Sequence, residues 1–540
     1  MLRQSWGSGL SRNAAKLAEL GGFDEAYTPA YVEDLDLGVR AWRRGWPSVF
    51  SAGARVLHRH RTTTSRYFSD ERLARILETN YLRFLTRAIG DRRIFRTMWR
   101  AAIHRLRDPA VLAGARRIAF ERGLPSGAAL DYASIFALNS GAVAVFPGRA
   151  PSGRPCVLIA TPYLPFPLAH GGAVRMFNLM REAAREFDLV LLSFVDEAKP
   201  APAELLEYCC EIVLVKRRGS HWLPESVRPD VVEEFDSMPF HAALRQTVKK
   251  WNPRVAQLEF TQMAQYASDC APAKTVLVEH DITLDLYTQL LAGAADPGER
   301  WETARQLERW KRFERAAWSE VDRVVTISNK DAAAAGGKAV VIANGVELAR
   351  FQPSTREPEA SRLLFIGSFA HLPNVLAVNF FLREAWPRLR GMKLHIVAGA
   401  RHELFLNRID INLADDAVEV EGFVSDVRPA YEKATVVIAP LLASAGTNIK
   451  IIEAMAMGKA IVSTPGGING LDLVSGRDLL VAGSGEEFAA AIRSLVENPE
   501  RRRELERQAR KTAEEKYDWR TIGLAQKALY DELANDPKMA

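Results

Sequence analysis

Residues Ala445–Leu471 read AGTNIKIIEAMAMGKAIVSTPGGINGL, and this stretch decides the fold. A strand precedes it over Thr435–Ala439 and stops at Pro440; a loop of small residues follows, and a helix is predicted from near Thr447. Gly446 lacks a Cβ, so backbone there can approach a ligand closely. The helix start offers unpaired N–H groups and the positive end of the helix dipole, which together suit a pyrophosphate. Lys450 adds a point charge in the first turn. Glu453 lies further along the helix, where a carboxylate can accept hydrogen bonds from ribose hydroxyls. An otherwise apolar helix face has little other use for a carboxylate.

Outward from this stretch, Leu363–Ile366, Lys393–Val397, Val418–Val420 and Ala460–Ser463 read as further strands. The preceding segment repeats the style with Val157–Ala160, Leu189–Phe194, Ile212–Val215, Thr275–Val278 and Arg323–Ile327. Continuous apolar runs suit parallel strands buried on both faces. Helical stretches such as Arg175–Glu186 and Glu302–Trp318 lie between them. Strand–helix alternation, twice over, predicts two doubly wound α/β domains that hold a ligand in the cleft between them. Gly/Pro/Ser-rich breaks at Pro147–Pro155 (PGRAPSGRP) and Phe351–Pro358 (FQPSTREP) place these domains at 151–350 and 351–540. Residues 1–60 mix short strands with an acidic cluster, and 70–150 reads as a helical tail and linker.

Composition bounds the alternatives. The 540 residues are 26% charged and 48% hydrophobic, near the globular average, which excludes disordered, collagen-like and disulfide-scaffold classes. Lys+Arg 72 against Asp+Glu 66 leaves +6, too small an excess at this length to imply a nucleic-acid partner. The four cysteines, Cys156, Cys209, Cys210 and Cys270, form no C-x-x-C and read as reduced thiols of a cytosolic protein. The most apolar stretch, Ala128–Phe146, is interrupted by Asp131, Ser134, Asn139, Ser140 and Gly141, so no membrane span is expected. The expected location is cytoplasmic. Residues 70–107 read as amphipathic helix, with Leu73, Ile76, Leu77, Tyr81, Leu82, Phe84 and Leu85 near helical spacing. Its polar face carries Arg83, Arg87, Arg92, Arg93, Arg96, Arg100 and Arg105. That face fits either a solvated surface or peripheral contact with anionic lipid at the inner membrane face.

The stretch 445–471 resembles the signature of the group 1 glycosyltransferases (glycosyltransferase family 4), which have the GT-B fold. The resemblance covers about residues 153–520, and its elements occur in the family's order. Pro162 and His170-Gly171-Gly172 followed by Arg175 are similar to the family's first strand–loop–helix. Val278-Glu-His-Asp281 is similar to its strand ending in His-Asp, and Asp322–Asp331 (DRVVTISNKD) to a later strand. Val340–Val346 (VVIANGV) resembles its interdomain segment. Phe365-Ile-Gly367-Ser368 with Pro373-Asn374 resembles the opening of the second domain, and Gly422–Asp426 (GFVSD) the loop beside the nucleotide base.

The resemblance implies retaining transfer of a sugar from a nucleotide-diphosphate-sugar donor to a hydroxyl of a glycan or lipid-linked acceptor, without a metal or other cofactor. Carried over, Gly171, Gly172 and Gly367 approach the donor, and His280 lies near the transferred sugar. Backbone at Gly446, Thr447 and Asn448 takes the diphosphate with Lys450, Glu453 the ribose, and Val424 and Asp426 the base. Preorganised amides, a helix end and a lysine can stabilise charge on the leaving diphosphate. Taken alone, Gly171-Gly172 also fits a simple turn, His280 a core or capping histidine, and Lys450 an ordinary surface lysine. Glu259, at the end of a strand, is a weaker candidate. The family often has a glutamate where Ala445 stands, and an Arg–Lys pair where Ser368-Phe-Ala-His371 stands. Lys450 or Arg401 is expected to compensate for the pair.

Near the amino terminus, Gly21-Gly-Phe-Asp-Glu25, Glu33-Asp34-Leu-Asp36, Arg40 and Gly45 resemble the acceptor-side end of a family 2 glycosyltransferase of GT-A fold. There Asp34 would be the carboxylate base. His58 and His60 follow a short strand, Ala54–Leu57. Gly21 lies only about twenty residues from the start, whereas a GT-A domain needs a nucleotide-binding half of very roughly 150 residues before it. Residues 1–69 are therefore expected to be the C-terminal remnant of such a domain, unable to bind a nucleotide sugar alone. Equally, Glu33–Asp36 fit plain helix-start acids. The two alternatives to a GT-B enzyme are a fragment of a bifunctional family 2/family 4 protein and a non-catalytic nucleotide-sugar-binding or scaffold protein.

Overall fold

The computed structural model describes residues 14–46, 64–120, 130–168, 170–217, 226–294, 296–409, 416–442 and 447–535. The chain divides into two compact units, Met1–Ala142 and Val143–Ala540.

In the larger unit the described strands form two sheets. The first comprises β1 (Val143–Pro147), β2 (Cys156–Thr161), β3 (Asp188–Val195), β4 (Cys209–Lys216), β5 (Val255–Glu259), β6 (Lys274–Glu279), β7 (Arg323–Thr326) and β8 (Ala339–Val341). Their order is β1-β4-β3-β2-β5-β6-β7-β8, parallel except for β1. The second comprises β9 (Arg362–Ile366), β10 (Lys393–Val397), β11 (Val418–Glu421), β12 (Val436–Ala439), β13 (Ala460–Ser463) and β14 (Leu480–Val481). Their order is β11-β10-β9-β12-β13-β14, all parallel.

Both sheets are doubly wound, as the alternation of apolar runs and helices predicts. Each reverses strand order once, between β2 and β5 in the first and between β9 and β12 in the second. Such reversals open a crevice at the carboxyl ends of the strands, where ligands bind in open α/β sheets. Val143–Pro147, expected in the linker, is an edge strand pairing with β4. Its half-exposed pattern lacks the continuous apolar run that marks the central strands.

Two apolar layers fill the second half, one around Phe365, Phe381, Ile438 and Phe488, the other around Tyr431, Ile451, Ile452 and Met455. The last helix, Trp519–Ala534, lies on the first half instead. Trp519, Ile522, Leu529, Tyr530 and Leu533, at helical spacing, join the core of Val157, Leu189 and Ile212. Fully burying each such side chain stabilises by about 1.5–3 kcal/mol, so this helix fastens the carboxyl end to the first half.

The smaller unit is helical among its described residues. Asp70–Ala88, Arg92–Arg105, Pro109–Phe120 and Tyr132–Leu138 surround Tyr27, Leu82, Phe84, Leu85 and Ile118. The single helix expected over 70–107 is two, because Asp91 accepts from the N–H groups of Arg93 (2.9 Å) and Ile94 (2.8 Å) and so starts a second. The short strands expected in 1–60 are absent from 14–46. There the acidic cluster opens the helix Glu33–Arg43, where the dipole favours it. The expected strand Ala54–Leu57, with His58 and His60, lies outside the described residues. No described helix is long and apolar enough to cross a membrane.

Candidate active site

The helix Gly171–Ala183 begins at the loop after β2. His170 caps it, its Nδ1 accepting from the N–H of Ala173. Gly172 has no room for a side chain: a Cβ there would lie 2.4 Å from Tyr163 Oη and 3.0 Å from Phe260 Cζ. A Cβ on Gly171 would lie 2.8 Å from Ile449 Cδ1, on the first residue of the helix Ile449–Ala456. The glycine pair is therefore the point where the first half meets the helix start of the second.

Three further contacts close this junction. Asn344 Nδ2 donates to Thr447 Oγ1 at 2.6 Å. Arg175, wholly buried, donates to Asn344 Oδ1 (3.1 Å) and to the carbonyls of Ala343 and Ile342 (2.7 Å each). Ser328 faces Gly470, where a Cβ would come within 3.2 Å of its own Cβ.

At the end of β6, His280 is buried and its Nε2 lies 2.8 Å from Glu259 Oε2. The ring of Phe260 stacks on His280 with centroids 3.7 Å apart and planes 3° apart. Tyr163 touches both Phe260 and His170, with centroids at 5.4 and 4.7 Å. Phe260 takes φ 71°, ψ 146°, a conformation that costs a non-glycine residue about 1–3 kcal/mol. In that conformation its ring lies flat against His280. Burial pulls His280 below its ordinary range, against the pull of Glu259. Burial likewise lowers His170, with smaller contributions from His280 and from His371 of the second half.

In the second half, Lys450 Nζ donates to Asn374 Oδ1 at 2.7 Å and sits 5.0 Å over the ring of Phe365. Gly367 makes this approach possible, since a Cβ there would lie 2.7 Å from Asn374 Cγ and 3.0 Å from Lys450 Nζ. Glu453 Oε2 accepts from Tyr431 O–H at 3.1 Å. Burial pushes Glu453 up to about 7 and Lys450 down to about 8. Asn448 precedes the helix and donates its side-chain amide to the carbonyl of Gly467 at 2.5 Å, leaving the helix-start N–H groups uncapped by side chain. Such a start accepts an anion readily.

The structure thus brings Gly171, Gly172, Gly367, Thr447, Asn448, Lys450 and Glu453 to one junction, with His280 behind the glycine loop. Gly446 and Ala445 lie outside the described residues. Val424 packs partly into the second core layer. Asp426 is held by Arg428, which donates from Nε (2.8 Å) and Nη2 (2.7 Å) and keeps its carboxyl down at about 2. Asp34, in the smaller unit, opens the helix Glu33–Arg43 and accepts from the N–H of Leu35 at 2.8 Å. Buried Asp36 beside it accepts from Arg40 Nε at 2.6 Å, and Arg40 also holds the carbonyls of Leu20 and Gly22. Tyr163, Phe260 and Tyr431 were not legible as site residues, because each reaches its partner through tertiary contact rather than sequence spacing. Among the described residues no cluster of three or more His, Cys, Asp or Glu could hold a metal ion.

The arrangement of two doubly wound α/β halves is shared with solved glycosyltransferases. Sucrose-phosphate synthase from Thermosynechococcus elongatus is similar over 70% of this chain and 99% of its own, with TM-score 0.56 and 16% identity. Anabaena HepE, solved with UDP, is similar over 70% of this chain and all of its own (TM-score 0.54, 14% identity). A glycosyltransferase from Rickettsia africae matches over 71% and 100% (TM-score 0.51, 14% identity). Residues 360–498 match the model of the family described as "Glycosyl transferases group 1".

A separate likeness is to the Mycobacterium tuberculosis N-acetylglucosaminyl-diphospho-decaprenol L-rhamnosyltransferase, 43% identical over 60 residues, 11% of this chain. The chain spans about a fifth (19%) of the length of the curated relatives it matches.

Proposed function

We propose that the chain is a glycosyltransferase that moves a sugar from a nucleoside-diphosphate-sugar donor to a hydroxyl of a glycan or lipid-linked acceptor, with retention, in polysaccharide or glycoconjugate assembly. The observation that carries this reading is the helix start at Ile449, with Lys450 and Glu453, standing against Gly171 across the junction. The UDP complex of HepE, a protein of like fold, supports a nucleoside diphosphate as the ligand class.

In this reading the diphosphate lies on the N–H groups at Thr447 and Asn448, and Lys450 neutralises charge that develops as it leaves. Glu453, steadied by Tyr431, accepts from the ribose hydroxyls. Gly171 and Gly172 keep the opposite wall free of side chains, and His280 contacts the transferred sugar. The charge on the leaving group is met by this chain's own groups, as in metal-independent members of the family. Asp426 contributes to the base subsite through its loop backbone, since its carboxylate is taken by Arg428.

A second reading, a piece of a bifunctional family 2/family 4 protein, is supported by the 60-residue match, 43% identical, to a rhamnosyltransferase. Peripheral membrane contact would fall on Arg92, Arg93, Arg96 and Arg100, all exposed on one helix. Arg83 and Arg87, in contrast, are spent on partners inside the unit. Salt-sensitive binding to anionic vesicles is expected, and its absence returns that helix to a solvated role.

The test of the main reading is a panel of nucleotide sugars incubated with the full chain. Nucleoside diphosphate released faster than in its absence, with a linked product, supports an enzyme. Binding without release supports the scaffold alternative.

A further inference from the structure

Glu259 ends β5 beside the reversal of strand order, and only 3% of its surface is exposed. Two donors meet its carboxylate: Gln257 Nε2 at 2.7 Å on Oε1, and His280 Nε2 at 2.8 Å on Oε2. Gln257 Oε1 in turn accepts from Tyr530 O–H at 2.7 Å, and Tyr530 Oη accepts from Gln526. Gln526 and Tyr530 are one turn apart on the last helix, both buried. Every donor in this chain points the same way, from Gln526 through Tyr530 and Gln257 to Glu259, and His280 completes it from the other side.

A carboxylate only accepts, so the ring proton of His280 sits on Nε2 and Nδ1 keeps its lone pair. Phe260, stacked flat on the ring, fixes the ring plane while Glu259 fixes its edge. Burial, reinforced by Arg175 and opposed by Glu259, disfavours the imidazolium.

We propose that Glu259 is a positioning residue that fixes the His280 ring with its proton on Nε2, leaving the Nδ1 lone pair for a hydroxyl of the transferred sugar, and that Tyr530 holds Glu259 through Gln257. This rests on the reading that His280 contacts that sugar. It makes the last helix, some 250 residues away in sequence, part of the support of the transfer site. A ring held from edge and face need not be ordered when the donor binds, and that preorganisation is what supporting residues supply.

The test uses the full chain labelled with ¹⁵N-histidine and long-range ¹H–¹⁵N spectra at pH 7.5, with His280→Gln to identify the signal. Wild type is expected to show one fixed tautomer, with Nδ1 at the shift of an unprotonated ring nitrogen. Glu259→Leu is expected to release the ring, so that its two nitrogen shifts converge. Tyr530→Phe, which removes one hydroxyl and keeps the packing, is expected to move both shifts the same way by a smaller amount. An averaged tautomer in wild type, or unchanged shifts in Glu259→Leu, overturns the proposal. Should Glu259→Leu fail to fold, unchanged shifts in Tyr530→Phe overturn the support by the last helix. Addition of UDP-glucose, UDP-N-acetylglucosamine and GDP-mannose tests the underlying reading separately. A fixed ring that responds to none of them overturns the sugar contact while the relay stands.

Discussion

Asn344 Nδ2 lies 2.6 Å from Thr447 Oγ1, and this hydrogen bond joins the segment that leaves the first α/β half to the residue two places before the helix Ile449–Ala456 of the second. Arg175 fixes Asn344 from behind, so the position of Thr447 depends on a residue of the glycine-loop helix. Thr447→Val keeps the shape and removes the acceptor. The buried amide of Asn344 then lacks a partner, a cost of about 1–3 kcal/mol. Denaturant unfolding is expected to show that loss, together with weaker donor binding; equal stability would mean that the bond does not join the halves.

Gly172→Ala is expected to abolish turnover while the protein still folds, because the new methyl meets Tyr163 Oη and Phe260 Cζ. The Tyr163→Phe background removes the nearer obstacle. The double variant should therefore recover part of the activity, a coupling that distant sites do not show. Steady-state rates of the four proteins of the cycle measure it, and additive losses would contradict the contact.

Lys450 and Glu453 predict a narrow pH window for donor binding. Lys450, lowered to about 8, loses its charge above that pH and with it the attraction for a diphosphate. Glu453, raised to about 7, is protonated below that pH and accepts less well from ribose. Affinity should be greatest between roughly 7 and 8 and fall on both sides, a bell that Lys450→Arg extends on the alkaline side. A flat profile from pH 6 to 9 would contradict these assignments.

Glu279, the residue before His280, is buried, its carboxylate accepting from Trp318 Nε1 at 2.7 Å and from Thr261. Burial first, then the neighbouring Glu314, pushes it up to about 8. Its folded pKa exceeds its unfolded one, so the folded state binds more protons between about 4.5 and 8, and stability falls as pH rises through that window. Glu279→Gln should lessen that slope and leave the protein more stable at pH 8. A variant as pH-dependent as wild type would show that another group sets the slope.

The central strands were legible because burial on both faces writes an uninterrupted apolar run, as in Val157–Ala160 and Leu189–Leu192. Of the strands at sheet margins, Val418–Glu421 was read, but β8 has three residues and β14 two, too short to carry a pattern. Gly171, Gly172, Lys450 and Glu453 could be singled out because glycine permits close backbone approach and charged residues stand out on a mostly apolar helix. Their neighbours could not. Tyr431 reaches Glu453 and Tyr530 reaches Gln257 only after the chain has folded, and a tyrosine in a helix reads simply as core. Asp426 shows the opposite limit: its position follows the family pattern, but the pairing of its carboxylate with Arg428 becomes visible only in three dimensions.

The helix start at Ile449 is the proposed diphosphate site. Calorimetric titration of UDP, GDP and ADP into the full chain and into Glu453→Ala and Lys450→Ala tests it most directly. At least one diphosphate should bind the wild type. Each variant should weaken that binding by about 1.5–3 kcal/mol, roughly 10–150-fold in Kd, as expected for lost hydrogen bonds to charged groups. Equal affinity in wild type and both variants would contradict a diphosphate site at this helix.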